Sequence, residues 1–196
     1  MNRSALRSTN MMRRLFVIAP SLIVALAVYS GAAEAAMGVT GKPKVAFFAT
    51  ATPGALDIEG DSSTVNVTDD GTKLAFAVPM ESVHTGIDMR DDHMNNEFVE
   101  ISKFPNATLT VARADLKFPT TLGETAGGTI KGTFNVHGVD VVEDVTYTLQ
   151  RSKTGYRARA SFKFDASQHG ITIPSYLGIT VDPKMNAEVT VDLIDG

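Results

Sequence analysis

The sequence predicts an all-β fold, either a closed antiparallel barrel or a sandwich. From about residue 44 onward, apolar and polar residues alternate with period two, which gives each strand one dry face and one wet face. Short turn sequences separate eight or nine such runs, a spacing typical of barrels and sandwiches. Two longer interruptions, residues 82–104 and 167–183, break the series, and connections of that length often carry function or short helices.

The strands follow one another along the chain, and an Asp-Asp-Gly turn at residues 69–71 joins the third run to the fourth. The apolar positions of the first four runs are Val45, Phe47, Ala49 and Ala51, then Leu56 and Ile58, then Val65 and Val67, and then Leu74, Phe76, Val78 and Met80. Those of the middle runs are Leu109 and Val111, followed by Ile130, Phe134 and Val136. Those of the last three are Val141, Val145, Tyr147 and Leu149, then Tyr156, Ala158, Ala160, Phe162 and Phe164, and then Met185, Ala187, Val189, Val191 and Leu193. Large and small residues mix on these dry faces, which indicates a cavity or a core of complementary side chains; the residue types alone favour the packed core.

Residues 1–35 have the three-part layout of a cleaved secretory signal peptide. Arg3, Arg7, Arg13 and Arg14 form a basic region, residues 15–29 an apolar region, and residues 33–35 (Ala-Glu-Ala) a cleavage site. The apolar run is shorter than the roughly 20 residues of a spanning helix, so we expect no stable membrane span after cleavage. Residues 36–196 are then a single domain, exported to the periplasm or the exterior of a bacterium.

The composition of the remaining 161 residues narrows the possible partners. Removal of four Arg and one Glu leaves 14 basic and 21 acidic residues, a net charge of −7, which disfavours nucleic acid and anionic lipid surfaces as partners. The chain has no Cys, so it has no thiol nucleophile and no thiolate metal ligand. A domain of this size can rely on its core without disulfides.

Residues 89–105 are the densest cluster of charged, His, Met and aromatic residues. Met80, His84, Met89, His93 and Met94 are the types that bind copper, but blue-copper geometry needs a Cys thiolate, and His84 and His93 are nine residues apart rather than at a helical spacing such as i, i+4. Ser82, with nearby His and Asp residues, lacks the Gly-x-Ser-x-Gly setting of a hydrolytic nucleophile. We therefore assign no catalytic residue and no metal ligand, and do not predict an enzyme.

The same segment also fits a short helix lying on the barrel. Asp88 or Asp91 would cap it, and Met94, Phe98 and Ile101 would form its apolar stripe. Arg90 would pair with a carboxylate or with the polar head of a ligand. The His-Gly pairs at residues 137–138 and 169–170 are typical of turns.

Three motifs in order give a resemblance to a known family: residues 90–94 (Arg-Asp-Asp-His-Met), residues 98–105 (Phe-Val-Glu-Ile-Ser-Lys-Phe-Pro), and residues 132–139, which end in Val-His-Gly-Val. A fourth parallel is the stretch 160–171, which ends in His-Gly-Ile. In these the chain resembles the YceI-like family. The resemblance implies an eight-stranded, antiparallel, lipocalin-like barrel with short helical insertions that holds a polyisoprenoid. The chain departs from the family pattern at residues 140–142 and at Ala166, Gln168 and His169, beside loops that shape the cavity mouth.

Alternation and resemblance together predict a protein that carries or sequesters a long apolar lipid, with no other cofactor. The residues predicted to line the cavity are Phe76, Val78, Phe134, Tyr147, Phe162, Val189 and Val191, and those at its mouth are Arg90, Asp91, His93 and His137. The sequence is compatible with a homodimer. The alternatives are a periplasmic copper-type protein that uses Met and His, and a stress-response scaffold that binds no ligand.

Overall fold

A computed structural model describes residues 36–54 and 56–195, so the predicted signal peptide lies outside the described residues. Eleven strands form one antiparallel sheet. They are β1 (Gly38–Thr52), β2 (Leu56–Ser62), β3 (Asn66–Asp69), β4 (Lys73–Pro79), β5 (Asn106–Ala112), β6 (Thr125–Val136), β7 (Val139–Arg151), β8 (Gly155–Asp165), β9 (Ser175–Tyr176), β10 (Ile179–Val181) and β11 (Lys184–Ile194).

The sheet follows the order β3-β4-β5-β6-β7-β8-β11-β1-β10-β9, and β2 pairs with the other edge of β1. One edge of β1 pairs with β11 and, further along, with β10. Because the sheet curls into a half-barrel, β3 and the segment after β4 approach the start of β1 and strand β2. The Met37 N–H donates to the Asp69 carboxylate at 3.3 Å, and the backbones of Asp61 and His84 exchange two hydrogen bonds of 2.9 Å.

The all-β antiparallel prediction is confirmed, and the eleven strands differ from the predicted eight for a simple reason. Nine of the eleven strands match the apolar runs of the sequence, and the other two, β9 and β10, have only two and three residues. Segments this short cannot display an alternating pattern, so the 167–183 interruption concealed two strands.

Side chains fill one end of the half-barrel interior. The most buried of them are each 1% exposed: Leu74, Val145, Val191 and Leu193. Gly132 makes this packing possible, because a Cβ there would lie 2.8 Å from Val145 Cγ2 and 3.0 Å from Leu109 Cδ1. This half is therefore filled mainly by its own side chains.

The 82–104 interruption contains the predicted helix, which lies across the opposite end. Helix α1 (Asp88–His93) continues into a π-helical turn, Met94–Phe98. Met94 and Ile101 pack against the core, as the stripe predicted. The capping prediction is wrong: Ile87 is the N-cap residue and no side chain caps the helix, because the Asp91 side chain bonds to Thr85 instead.

Further 3₁₀ turns lie at Met80–Ser82, Arg113–Asp115 and Ala166–His169. Within the described residues, no helix has the length and hydrophobicity needed to cross a bilayer.

Candidate ligand-binding cavity

The helical end of the half-barrel encloses an open cavity of about 770 Å³. The strands contribute apolar side chains from their inward faces, and the helical segment and the residues before β9 supply the remaining walls. The apolar lining includes Val45, Phe47, Ile58, Phe76, Val78, Met80, Ala107, Phe134, Phe162, Phe164, Ile171, Met185 and Val189. The chain thus combines a packed half with a hollow, apolar half.

Five of the seven residues predicted to line the cavity do so: Phe76, Val78, Phe134, Phe162 and Val189. Tyr147 and Val191 lie deeper, around a second cavity of about 40 Å³ in the packed half. The Tyr147 hydroxyl accepts the backbone N–H of Lys117 at 2.8 Å. Period two predicted the face of each strand, but the depth of a residue depends on the register between strands.

A cluster of aromatic rings forms one wall of the cavity. The ring centroid of Phe134 lies 4.9 Å from that of Phe162 and 5.0 Å from that of Phe164, and the ring planes are inclined at about 60° in both pairs. Such tilted contacts are the favourable arrangement for aromatic pairs. The wall is therefore apolar and built of rings that pack on one another.

Strand β1 supplies a wall residue that sequence analysis left out of the lining set. Phe47 lines the cavity and lies opposite Gly60 of β2. A Cβ at Gly60 would lie 2.2 Å from Phe47 Cε1, so the missing side chain leaves room for the ring. The sequence feature that could have indicated this contact is Gly60, since a Gly in an otherwise regular strand often marks the close approach of another group.

Other wall residues were missed because they show no alternation. Ile171, Ile173, Pro174 and Val181 line the cavity from the connection between β8 and β11. Their apolar character was visible, but no periodic pattern placed them on a face.

A cluster of hydrogen-bonded polar groups lies at the mouth and is centred on Thr85. Arg90 donates from Nε to Thr85 Oγ1 and from Nη2 to the Thr85 carbonyl oxygen, both at 2.7 Å. Asp91 accepts the backbone N–H of Thr85 at 2.8 Å and also its hydroxyl. Burial raises the pKa of Asp91, but hydrogen bonds from Thr85 and His84 outweigh it and hold the pKa below its ordinary value. These hydrogen bonds hold α1 against the segment that precedes it in the chain.

Of the predicted mouth residues, Arg90 and His93 line the cavity, and Asp91 anchors the helix beside them. Glu97, which was not predicted, also lines it and is exposed, as is His93. These polar groups stand at the opening, whereas the interior walls are apolar.

His137 does not line the cavity; it ties two of its flanking segments together. Its Nδ1 lies 3.2 Å from the His169 carbonyl oxygen, and its Nε2 lies 3.0 Å from Glu100 Oε2. Both partners are acceptors, so the ring makes both bonds when both nitrogens carry a proton. Hydrogen bonds from Lys103 and then from His137 lower the pKa of Glu100.

His169 is fully buried behind the aromatic wall. Its ring makes edge-to-face contacts with Phe134 and Phe164, and its Nδ1 donates to the Val139 carbonyl oxygen at 2.9 Å. Nε2 has no hydrogen-bond partner among the described residues. The turn prediction at residues 169–170 agrees with the left-handed conformation of Gly170, at φ 74°.

Two of the residues considered for metal or hydrolytic chemistry, His84 and Ser82, have other partners. His84 Nδ1 lies 3.5 Å from Asp91 Oδ2, and the Ser82 hydroxyl bonds to Ser62 Oγ and the Pro79 carbonyl oxygen. Across residues 36–54 and 56–195, no three His, Asp or Glu side chains are grouped so that they could hold a metal ion.

Solved structures of other proteins have a similar architecture. A polyisoprenoid binding domain from Saccharophagus degradans, described as implicated in plant cell wall breakdown, has a TM-score of 0.68 at 15% identity, covering 83% of this chain and 99% of that one. Burkholderia cenocepacia BcnA has a TM-score of 0.57 at 13% identity, covering 76% of this chain and 94% of that one. At such identities the similarity establishes the fold.

Among curated proteins, none matches the chain. A family model described as the YceI-like domain matches residues 36–193, nearly everything from β1 to β11. With that match over most of its length, the chain belongs to the YceI-like family.

Proposed function

We propose that this protein binds a long apolar lipid of the polyisoprenoid class inside the cavity, and carries or sequesters it without chemical change. The observation that supports this most directly is the open apolar cavity of about 770 Å³. Burial of apolar chain contributes roughly 0.8 kcal/mol per CH₂ group, so a few isoprene units supply useful affinity after the cost of association.

The distribution of polar groups supports a ligand that is apolar along most of its length. Arg90, His93 and Glu97 stand at the opening, and the walls around Phe134 and Val189 offer no charge to a ligand. A charged chain would lose its hydration without compensation in such a cavity. A neutral hydrocarbon with its polar end at the mouth fits the arrangement.

Family membership and one structural neighbour support the same ligand class. The Saccharophagus degradans neighbour is described as a polyisoprenoid binding domain, and we extend that ligand class to this chain because of its cavity. We further propose that the protein acts in the periplasm or outside the cell after loss of residues 1–35, and that it is a binding protein rather than an enzyme.

Native mass spectrometry of protein purified from its host, with lipid identification, tests the proposal. We expect one co-purifying apolar lipid per protein chain. Ala107 lines the cavity, so Ala107→Phe places a ring in the ligand space and should abolish the adduct. Val142 is 61% exposed on β7, so Val142→Phe is the matched control and should keep it.

Protein that carries no apolar molecule, and takes up none when isoprenoids are added, would contradict lipid binding. Equal loading of the Ala107→Phe and Val142→Phe variants would place any bound lipid outside the cavity.

A further inference from the structure

Large apolar residues stand exposed on β2, on the helical segment and on the β9–β10 hairpin at the cavity end of the molecule, and we call these five residues the rim. They are Leu56 (53% exposed), Ile87 (53%), Met89 (71%), Leu177 (85%) and Ile179 (39%). Isolated exposed apolar residues are common, but a group gathered around an opening indicates an interaction surface.

The rim residues lie on two sides of the mouth. Ile87 and Met89 belong to the helical side, and Leu177 and Ile179 belong to the β9–β10 hairpin. Leu56 joins the hairpin side, because it pairs with Ala51 of β1, whose other edge pairs with Val181 of β10.

The rim is continuous with the cavity. Ile87 and Met89 are exposed to solvent and also line the cavity, and Pro174 and Val181 line it from either side of the hairpin. An apolar surface therefore runs from the interior, through the mouth, to the outside. A long apolar chain that leaves along this path meets water only beyond the rim.

The charged residues beside the rim limit the kind of surface that can bind there. Asp57, Asp88, Asp92 and Glu97 are exposed, and the first two directly follow rim residues in the chain. Arg90 is half-buried and bonded to Thr85. A second copy would bring two acidic rims together, and an anionic surface would also repel this one.

We propose that the rim docks the cavity mouth onto a zwitterionic lipid bilayer. The Leu, Ile and Met side chains insert among the lipids, as the apolar residues of interfacial proteins do, while the carboxylates remain in the head-group layer. The bound chain then passes between bilayer and cavity without crossing water. This inference rests on the proposed function for the identity of the cargo.

Flotation with phosphatidylcholine vesicles tests the docking. The double variant Leu56→Ser/Leu177→Ser removes one residue from β2 and one from the hairpin, and neither lines the cavity. We expect its bound fraction to fall by about tenfold or more, since each inserted side chain contributes up to about that factor.

Leu122→Ser is the matched control. Leu122 is 59% exposed and lies between β5 and β6 at the opposite end, because Ala107 and Val136 at the other ends of these strands line the cavity. This variant should float like the wild type, and replacement of a third of the phosphatidylcholine by phosphatidylglycerol should weaken wild-type binding.

Four results would overturn the docking: no flotation of the wild type with phosphatidylcholine, equal flotation of the rim variant, equal loss in Leu122→Ser, or stronger binding to anionic vesicles. Light scattering adds a fifth. A dimer that the rim variant converts to a monomer would make the rim an interface between copies of the chain.

Uptake of a fluorescent farnesyl analogue in the absence of vesicles separates this inference from the proposed function. A wild type that takes up the probe but does not float fails only the docking. One that floats through its rim but takes up no probe fails only the proposed function.

Discussion

The side chain of Asp91 shows how one residue can organise the cavity mouth. It lies on α1 but bonds to Thr85, before the helix begins, and Thr85 in turn accepts a bond from Arg90. The sequence placed Asp91 and Arg90 in a family motif near the mouth. It did not indicate Thr85 as their partner, because a Thr six residues from an Asp has no distinctive spacing.

Asp91→Asn should destabilise the protein by about 1–3 kcal/mol at pH 7, because it removes a charged acceptor from partly buried donors. The pKa of Asp91 is held below 3.8, so its contribution is present above that pH and is lost as the pH falls through the folded-state value. Chemical denaturation between pH 7 and pH 2 should show the two proteins converging in acid.

Asp92→Asn is the control for this prediction, since Asp92 is the exposed neighbour and its replacement should change the unfolding free energy by no more than about 0.5 kcal/mol. A gap between wild type and Asp91→Asn that stays constant down to pH 2 would refute the role given to the carboxylate.

At the level of strands, the pairing of β1 with β2 shapes the cavity through Gly60. Alternation predicted that Phe47 faces inward, but not that Gly60 would stand opposite it. Register depends on the joint fit of segments separated by turns, and a one-residue slip would reverse every face. For the same reason the sequence predicted the inward faces of β4, β6, β8 and β11 but not how deep Tyr147 and Val191 would lie.

Gly60→Ala should drive the Phe47 ring toward the cavity, because the new Cβ would occupy its present position. We expect a loss of about 1–3 kcal/mol in unfolding free energy and weaker lipid binding. Gly128→Ala is the control, since its Cβ would meet only Tyr147 Cε1 at 3.9 Å. Isothermal titration with the identified lipid would check it, and unchanged affinity in Gly60→Ala would show that Phe47 does not limit the ligand space.

At the scale of the whole molecule, the interior divides into a packed half and a hollow half. Residue types alone favoured a packed core throughout, since Ala and Gly on a dry face suit either a void or large neighbours. Gly132 illustrates the packed case and Ala107 the hollow one. The resemblance to YceI-like proteins, rather than the alternation, predicted the cavity.

Removal of the lipid should lower thermal stability, because a ligand that binds only the folded state stabilises it by mass action. At a free ligand concentration 100 times Kd this amounts to about 2.7 kcal/mol, which for a domain of this size is about 5–10 °C in Tm. Calorimetry of protein before and after delipidation measures it. Ala107→Phe should show no such shift, and equal Tm values for loaded and delipidated wild type would argue against a bound lipid.

Strand β1 pairs with β11 along eight residues of its length, from Gly38 to Phe48. Strand β1 therefore cannot make these pairings until β11 is available, and the paired residues are far apart along the chain. High contact order slows folding and leaves strand edges uncovered until the final segment arrives. During synthesis, the sheet cannot be completed until β11 has emerged, and we expect the edge of β1 that β11 later covers to be the point at which a nascent chain needs protection from aggregation.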